Sequence, residues 1–157
     1  VFDKTGTITK GKPEVTDIYP KSNQKLILEI AGSLEKLSEH PIARAITKKA
    51  NLTKYKKVEK FKIIRGKGIE GMIGKKKYLI GHEGLLKDKG ISISKLKEKI
   101  TEFQDKGQTT MIVAEGKKIL GIIGVSDAIK KDSVLAISKL NHQGYSVQVL
   151  KKYLGFF

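Results

Sequence analysis

The chain has 157 residues, 39% hydrophobic and 31% charged, with no cysteine and a formal net charge of +16. That length can enclose one self-sufficient hydrophobic core, the composition excludes a disordered chain, and the lack of cysteine excludes disulfides, zinc–thiolate sites and cysteine nucleophiles. No apolar run approaches the ~20 residues of a bilayer-spanning helix, and Asp3 and Lys4 interrupt any cleavable signal at the start.

In chain order, Val1-Phe2 reads as the tail of a buried strand, followed by a segment punctuated by Gly11 and Pro13. Lys25 to Ala50 reads as two helices. Ile30, Leu34 and Leu37 share a face of the first, and Ile42, Ala45, Ile46 and Ala50 a face of the second. Pro41 suits the first turn of the second helix, which makes Ser38-Glu39-His40 the junction. Strand-like runs follow at 58–64, 69–73 and 77–80. Ser94 opens another helix, with Leu96, Ile100 and Phe103 on one face and Gly107 as its stop. Residues 109–114 and 118–125 form a hairpin through Glu115-Gly116. A helix capped by Asp132 runs to Gln143, with His142 at its solvated end, and Tyr145 to Leu150 begins one more strand. This order predicts an α+β fold, an antiparallel sheet with helices on one side and strands of a different kind at each end.

The charge admits a polyanion-binding surface. Against it, all but two of the 32 basic residues, Arg44 and Arg65, are lysine. Aromatics are 6% and Trp is absent, whereas specific nucleic-acid readers use Arg forks and stacked rings. The lysines are spread over many elements, so the expectation is a solvated Lys-rich surface and no specific nucleic-acid partner.

The chemistry-bearing run is Val1-Phe2-Asp3-Lys4-Thr5-Gly6-Thr7-Ile8-Thr9. An Asp at a strand end, followed at once by a Gly-containing turn, is presented as a carboxylate nucleophile for a γ-phosphoryl group. Backbone N–H groups of the turn, with Lys4, Thr5 and Thr7, can hold the phosphate. An isolated Asp there would be read as an Asx turn. Near the helix junction, the flat imidazole of His40 suits stacking on or hydrogen bonding to adenine, or else is a simple N-cap. Glu35, five residues earlier, can accept from an adenine amine, or else is a solvated helix residue. Gly66-x-Gly68-x-x-Gly71 imitates a dinucleotide fingerprint, but strand-like sequence follows it where that fingerprint needs a helix. It is read instead as close backbone approach to a nucleotide, or as a bulged hairpin turn. Gly68→Val is accordingly expected to abolish nucleotide binding at little cost in stability. Asp127 with Lys130 is an i, i+3 pair at a strand-to-helix turn.

Asp3 to Thr7, DKTGT, with Thr9 following, resembles the phosphorylation signature of the P-type ATPases. Thr9 to Thr16, the Ser38-Glu39-His40-Pro41 segment after Glu35, the Gly66–Gly71 loop, Tyr78-Leu79-Ile80-Gly81 and the Gly121–Asp132 return extend the resemblance along nearly the whole chain. It is closest to the heavy-metal-transporting class, most like its copper-exporting branch. The resemblance implies the start of a Rossmann-like phosphorylation domain in residues 1–13, a nucleotide-binding domain in 14–124 and a divergent return in 125–157. It also implies that Asp3 is phosphorylated and that Lys4, Thr5 and Thr7 assist. Mg²⁺ would be held by Asp3 and Thr5, with its other ligands outside this chain. ATP would lie against Glu35, His40, Gly66, Gly68, Gly81 and His82, the last standing where the family commonly has Asn. The implied partners are ATP and the phosphorylation, actuator and membrane domains of a parent metal-exporting ATPase. The chain would be a cytosolic fragment, joined to the membrane only through segments it lacks. In the family a TGD-type turn follows the last strand, where this chain has Lys151 to Phe157. The expectation is therefore ATP binding without turnover by this chain alone. A stand-alone nucleotide-binding regulatory module and a basic nucleic-acid-binding protein are the alternatives.

Overall fold

The computed structural model describes residues 2–3, 9–129, 139 and 149–150. Its centre is a six-stranded antiparallel sheet of strands β2 (Thr9–Tyr19), β3 (Val58–Ile64), β4 (Gly68–Ile73), β5 (Lys76–Gly81), β6 (Thr109–Glu115) and β7 (Lys118–Ile129), in the spatial order β2-β7-β6-β5-β4-β3. Two further short strands, β1 (Phe2–Asp3) and β8 (Val149–Leu150), pair in parallel apart from it, with Phe2 opposite Val149 and Asp3 opposite Leu150. The expected strand over Tyr145–Leu150 is described only in this last pair. Of the expected helix over 132–143, only Lys139 is described, as helical and exposed.

Four helices accompany the sheet: α1 (Gln24–Glu35), α2 (Pro41–Ala50), α3 (Glu83–Asp88) and α4 (Lys97–Asp105). They divide between its two faces. Ile30 and Leu34 of α1 and Ile42 and Ile46 of α2 pack with Ile80, Met111, Val113 and Ile123. Leu85 and Leu86 of α3 and Ile100 and Phe103 of α4 pack with Leu79, Ile112, Ala114 and Ile122. Successive residues of β6 thus enter opposite cores, as the period-2 geometry of a strand requires. This corrects the expectation of helices on one side. The uninterrupted apolar runs Met111–Ala114 and Ile119–Val125 are those of strands covered on both faces.

The short α3 had no sequence-based counterpart, and β2 was read only as a punctuated segment. Pro13 is tolerated in β2 because this strand lies at the sheet edge, and shifts of register flank Pro13 and Val15–Asp17. Leu37 is 51% exposed because α1 stops at Glu35, two residues before it. The hairpin through Glu115 and Gly116 forms as expected, with Glu115 opposite Lys118. No helix among the described residues is long and apolar enough to cross a membrane.

Candidate functional site

The α1–α2 junction is a closely specified turn. The backbone N–H of Leu37 donates to Leu34 O (3.2 Å) and that of Ser38 to Glu35 O (3.0 Å). Ser38 Oγ accepts from the His40 N–H (3.3 Å). His40 is the N-cap of α2, with its Nδ1 accepting from the Ile42 N–H at 3.2 Å and Pro41 in the first turn. Capping answers one of the helix's four unpaired N–H groups, and it holds the imidazole fixed at the mouth of the turn.

Glu35 ends α1 with a side chain that has no solvent exposure. Neither carboxylate oxygen has a hydrogen-bond partner among the described residues. Burial pushes its pKa up from 4.5 to about 8, which favours the neutral acid at pH 7. It forms part of the wall of a cleft of about 400 Å³, with Ser38, Arg44, Thr47, Lys48 and Tyr55. Arg44 and Lys48 lie at i and i+4 on α2, and so share the face turned away from Ile42 and Ile46. Lys36 Nζ stands 5.1 Å from the centre of the Tyr55 ring.

The second group of expected residues gathers where β4, β5 and α3 meet. Gly68 lies opposite Gly81. A Cβ on Gly68 would fall 2.1 Å from Ile80 O, and one on Gly81 2.3 Å from Lys67 O. Gly68 also has a φ of +152°, a conformation that L side chains rarely adopt. The Gly68→Val expectation is thereby corrected: this substitution would disrupt the sheet and cannot report on binding alone. Gly66, with φ +74°, has nothing within 4 Å of its Cβ position, so its backbone borders open space.

His82 ties this group together. Its Nδ1 accepts from the Gly84 N–H at 3.1 Å, which caps α3. That fixes the proton on Nε2, which donates to Gly66 O. The His82 N–H also donates to Lys67 O at 3.2 Å. Lys67 forms an ion pair with Asp88 at the end of α3. The imidazole thus holds the Gly66 turn against the first turn of α3.

Glu35 and His40 therefore stand at one junction, and Gly66, Gly68, Gly81 and His82 at another. The cleft takes in Glu35 and Ser38 but not His40 or the four residues of the second group. Strand β4 links the two places, since a Cβ on Gly71 would lie 2.7 Å from Leu34 Cδ2, beside Glu35. Arg44, Lys48 and Tyr55 did not emerge from sequence reasoning. The available signal was that Arg44 is one of only two arginines and is spaced i, i+4 from Lys48.

Asp3 ends β1. Its side chain, and Lys4, Thr5 and Thr7 altogether, lie outside what the structure describes, as does Lys130. Asp127 Oδ2 accepts from the Gly11 N–H (3.1 Å) and fastens β7 to β2. Among the described residues no group of three or more His, Cys, Asp or Glu is placed to hold a metal ion.

Comparison with known proteins accords with this architecture. The model of the haloacid dehalogenase-like hydrolases matches residues 1–151. The copper-exporting P-type ATPase B of Archaeoglobus fulgidus is 37% identical over 153 residues, 96% of this chain and 22% of that protein. A probable cadmium-transporting ATPase of Staphylococcus aureus is 39% identical over 158 residues, 95% of this chain and 22% of that protein. The chain thus spans about a fifth of the length of these curated relatives. Among solved structures, a zinc-transporting PIB-type ATPase in the E2.Pi state superposes with a TM-score of 0.76 at 32% identity, over 94% of this chain and 24% of that one. The catalytic domain of the CPx-ATPase CopB-B, studied for conformational changes upon nucleotide binding, does so with a TM-score of 0.67 at 28% identity, over 94% of this chain and 50% of that one. This chain belongs to the haloacid dehalogenase-like hydrolase family, and the relatives it resembles are heavy-metal P-type ATPases.

Proposed function

We propose that this chain binds ATP on behalf of a metal-exporting P-type ATPase, with residues 14–124 as its nucleotide-binding domain and residues 1–13 and 125–157 as parts of a phosphorylation domain. The observation that carries the reading is the buried, unpartnered carboxyl of Glu35 beside the His40 cap. A buried polar group left without a partner costs about 1–3 kcal/mol, a cost that a bound base would remove by supplying the missing partner. Glu35 and His40 would take the adenine, and the open backbone at Gly66 would border the nucleotide. Gly68 and Gly81 allow β4 and β5 the close approach that positions that turn. His82 would act from behind, by holding Gly66.

In the parent enzyme Asp3 would attack the γ-phosphorus of ATP. The Asp carboxylate oxygen would form the new P–O bond as the bond to the ADP oxygen breaks, with Lys4, Thr5 and Thr7 donating to the phosphoryl oxygens. The Asp3 carboxylate and the Thr5 backbone carbonyl would hold Mg²⁺, which when bound offsets phosphate charge. The exported metal, copper or a related heavy-metal ion, is cargo handled elsewhere in such an enzyme.

An NMR titration of the chain with ATP tests the binding site. The backbone signals of Ser38, His40 and Gly66 are expected to shift together along one binding curve, with a dissociation constant in the micromolar to millimolar range. His40→Ala is expected to weaken binding by about 1–2 kcal/mol, the worth of one hydrogen bond or ring stack. If the α1–α2 junction stays silent while the domain remains folded, the assignment of the pocket is wrong.

A further inference from the structure

Glu35 departs from the ordinary rule that a buried carboxylate is paired. Neither of its oxygens meets a donor, although cations stand on the elements around it. Lys36 follows it in the chain, and Arg44 and Lys48 of α2 and the Tyr55 ring line the same cleft. His40 begins α2, where its Nδ1 is engaged by Ile42. On β3, Lys60 and Lys62 are exposed, and Glu59 is paired with Lys57. On β4, Glu70 is paired with Lys77 and Lys89. It lies on the opposite face from Ile69, which packs with α1 and α2. Half-buried Glu29 of α1 is paired with Lys56. None of these groups reaches the Glu35 carboxyl with a hydrogen bond or ion pair.

We propose that Glu35 reads the base of the nucleotide as a neutral carboxylic acid, its O–H donating to a ring nitrogen of adenine and its carbonyl oxygen accepting from the adjacent amine. This rests on the nucleotide reading given above and adds the protonation state to it. A protonated carboxyl carries one donor beside one acceptor, and adenine's edge offers the complement, an acceptor nitrogen beside the N6 amine. The same complementarity lets a Gln amide bind adenine through two hydrogen bonds. An ionised carboxylate offers acceptors only, and would set one of them against the lone pair of the ring nitrogen. The raised pKa that burial gives Glu35 agrees with the neutral form.

The test is ATP affinity, measured by NMR titration of the whole chain between pH 7.5 and 9.5, for the wild type and Glu35→Gln. This range lies above the region in which phosphate esters titrate, the second pKa of a phosphorylated side chain being near 6. The wild-type dissociation constant is expected to bend upward around pH 8, where the carboxyl is half ionised, and then to approach a tenfold rise per pH unit. Glu35→Gln, which presents the same donor and acceptor without an ionisable proton, is expected to bind within about threefold of wild type at pH 7.5 and to lose the pH dependence. A second measurement needs no variant: the carboxyl ¹³C signal of Glu35 should titrate at higher pH with saturating ATP than without. A wild type insensitive to pH, a Gln variant weakened more than tenfold at pH 7.5, or a Glu35 titration that falls when ATP binds would each overturn the neutral-acid pairing while leaving the pocket intact. Silence at Ser38, His40 and Gly66 at every pH would overturn the pocket, and this inference with it.

Discussion

At the scale of single residues, the protonation of Glu35 has a consequence for stability that needs no ligand. Its folded-state pKa, near 8, lies above the 4.5 of an exposed glutamate. Between those two values the folded chain keeps a proton that the unfolded chain has released. Stability contributed at this site therefore falls as pH rises through that window, by up to about 1.4 kcal/mol per unit, and levels off above it. Urea unfolding at pH 5 and pH 8 is expected to show wild type losing more stability than Glu35→Gln across that interval; equal losses would mean that the carboxyl is already ionised at neutral pH. Sequence reasoning singled out Glu35 and His40 because a motif framed them, and it offered the N-cap reading of His40, which the Ile42 hydrogen bond bears out. It had no means of telling that Glu35 is buried without a hydrogen-bond partner, since that depends on how α1 rests on β4. His82 is the reverse case. Its difference from the family's common Asn was visible, but its bridge from the α3 cap to Gly66 joins positions 16 apart and is a product of tertiary structure.

At the scale of elements, the two glycines of the Gly66 turn have different tasks and should fail differently. Gly66→Ala meets no neighbour and bears only the cost of a left-handed backbone, on the order of 1–2 kcal/mol. Gly68→Ala adds a Cβ 2.1 Å from a backbone oxygen within a paired strand, and is expected to cost more, about 3 kcal/mol or above, through strand displacement as well as backbone strain. Guanidinium unfolding of the two variants checks the order; a Gly66 variant as damaged as the Gly68 variant would show that the turn is rigidly built throughout. The helix pair, the β3–β5 meander and the β6–β7 hairpin were legible because their periodicity and turn residues agree. Strand β2 was hidden because Gly11, Pro13 and four charged residues interrupt its eleven positions, and only its place at the sheet edge makes that composition tolerable. Helix α3 escaped because six residues are too few to display a period.

At the scale of the whole molecule, the formal charge of +16 has no arginine-rich or aromatic surface to turn it into sequence reading. Many lysines on the sheet and helices are engaged with single acids, as Lys76 is with Glu115 and Lys99 with Glu102. Such exposed pairs contribute little to stability. Any association with DNA is expected to be weak and to vanish with added salt as counterion release is suppressed, whereas ATP binding at the Glu35 junction should persist, a contrast that filter binding and NMR can measure side by side. Phosphoryl transfer draws on several positioned charges, each worth on the order of 10²–10³ in rate, and the Asp3–Thr7 run alone supplies only part of such a set. Incubation with γ-labelled ATP and Mg²⁺, acid quench and hydroxylamine treatment is therefore expected to leave no label on the protein. Hydroxylamine-sensitive label that is lost in Asp3→Asn would show the turn to be sufficient. The pairing of Thr9 with Ile129, with Asp127 clasping Gly11 beside it, has one more implication. The chain enters and leaves the large sheet along neighbouring strands, about 5 Å apart. Two such adjoining straps would confine any movement of the large sheet to a swing about the line of attachment and would resist twisting across it, so that a nucleotide bound as proposed would travel along one arc.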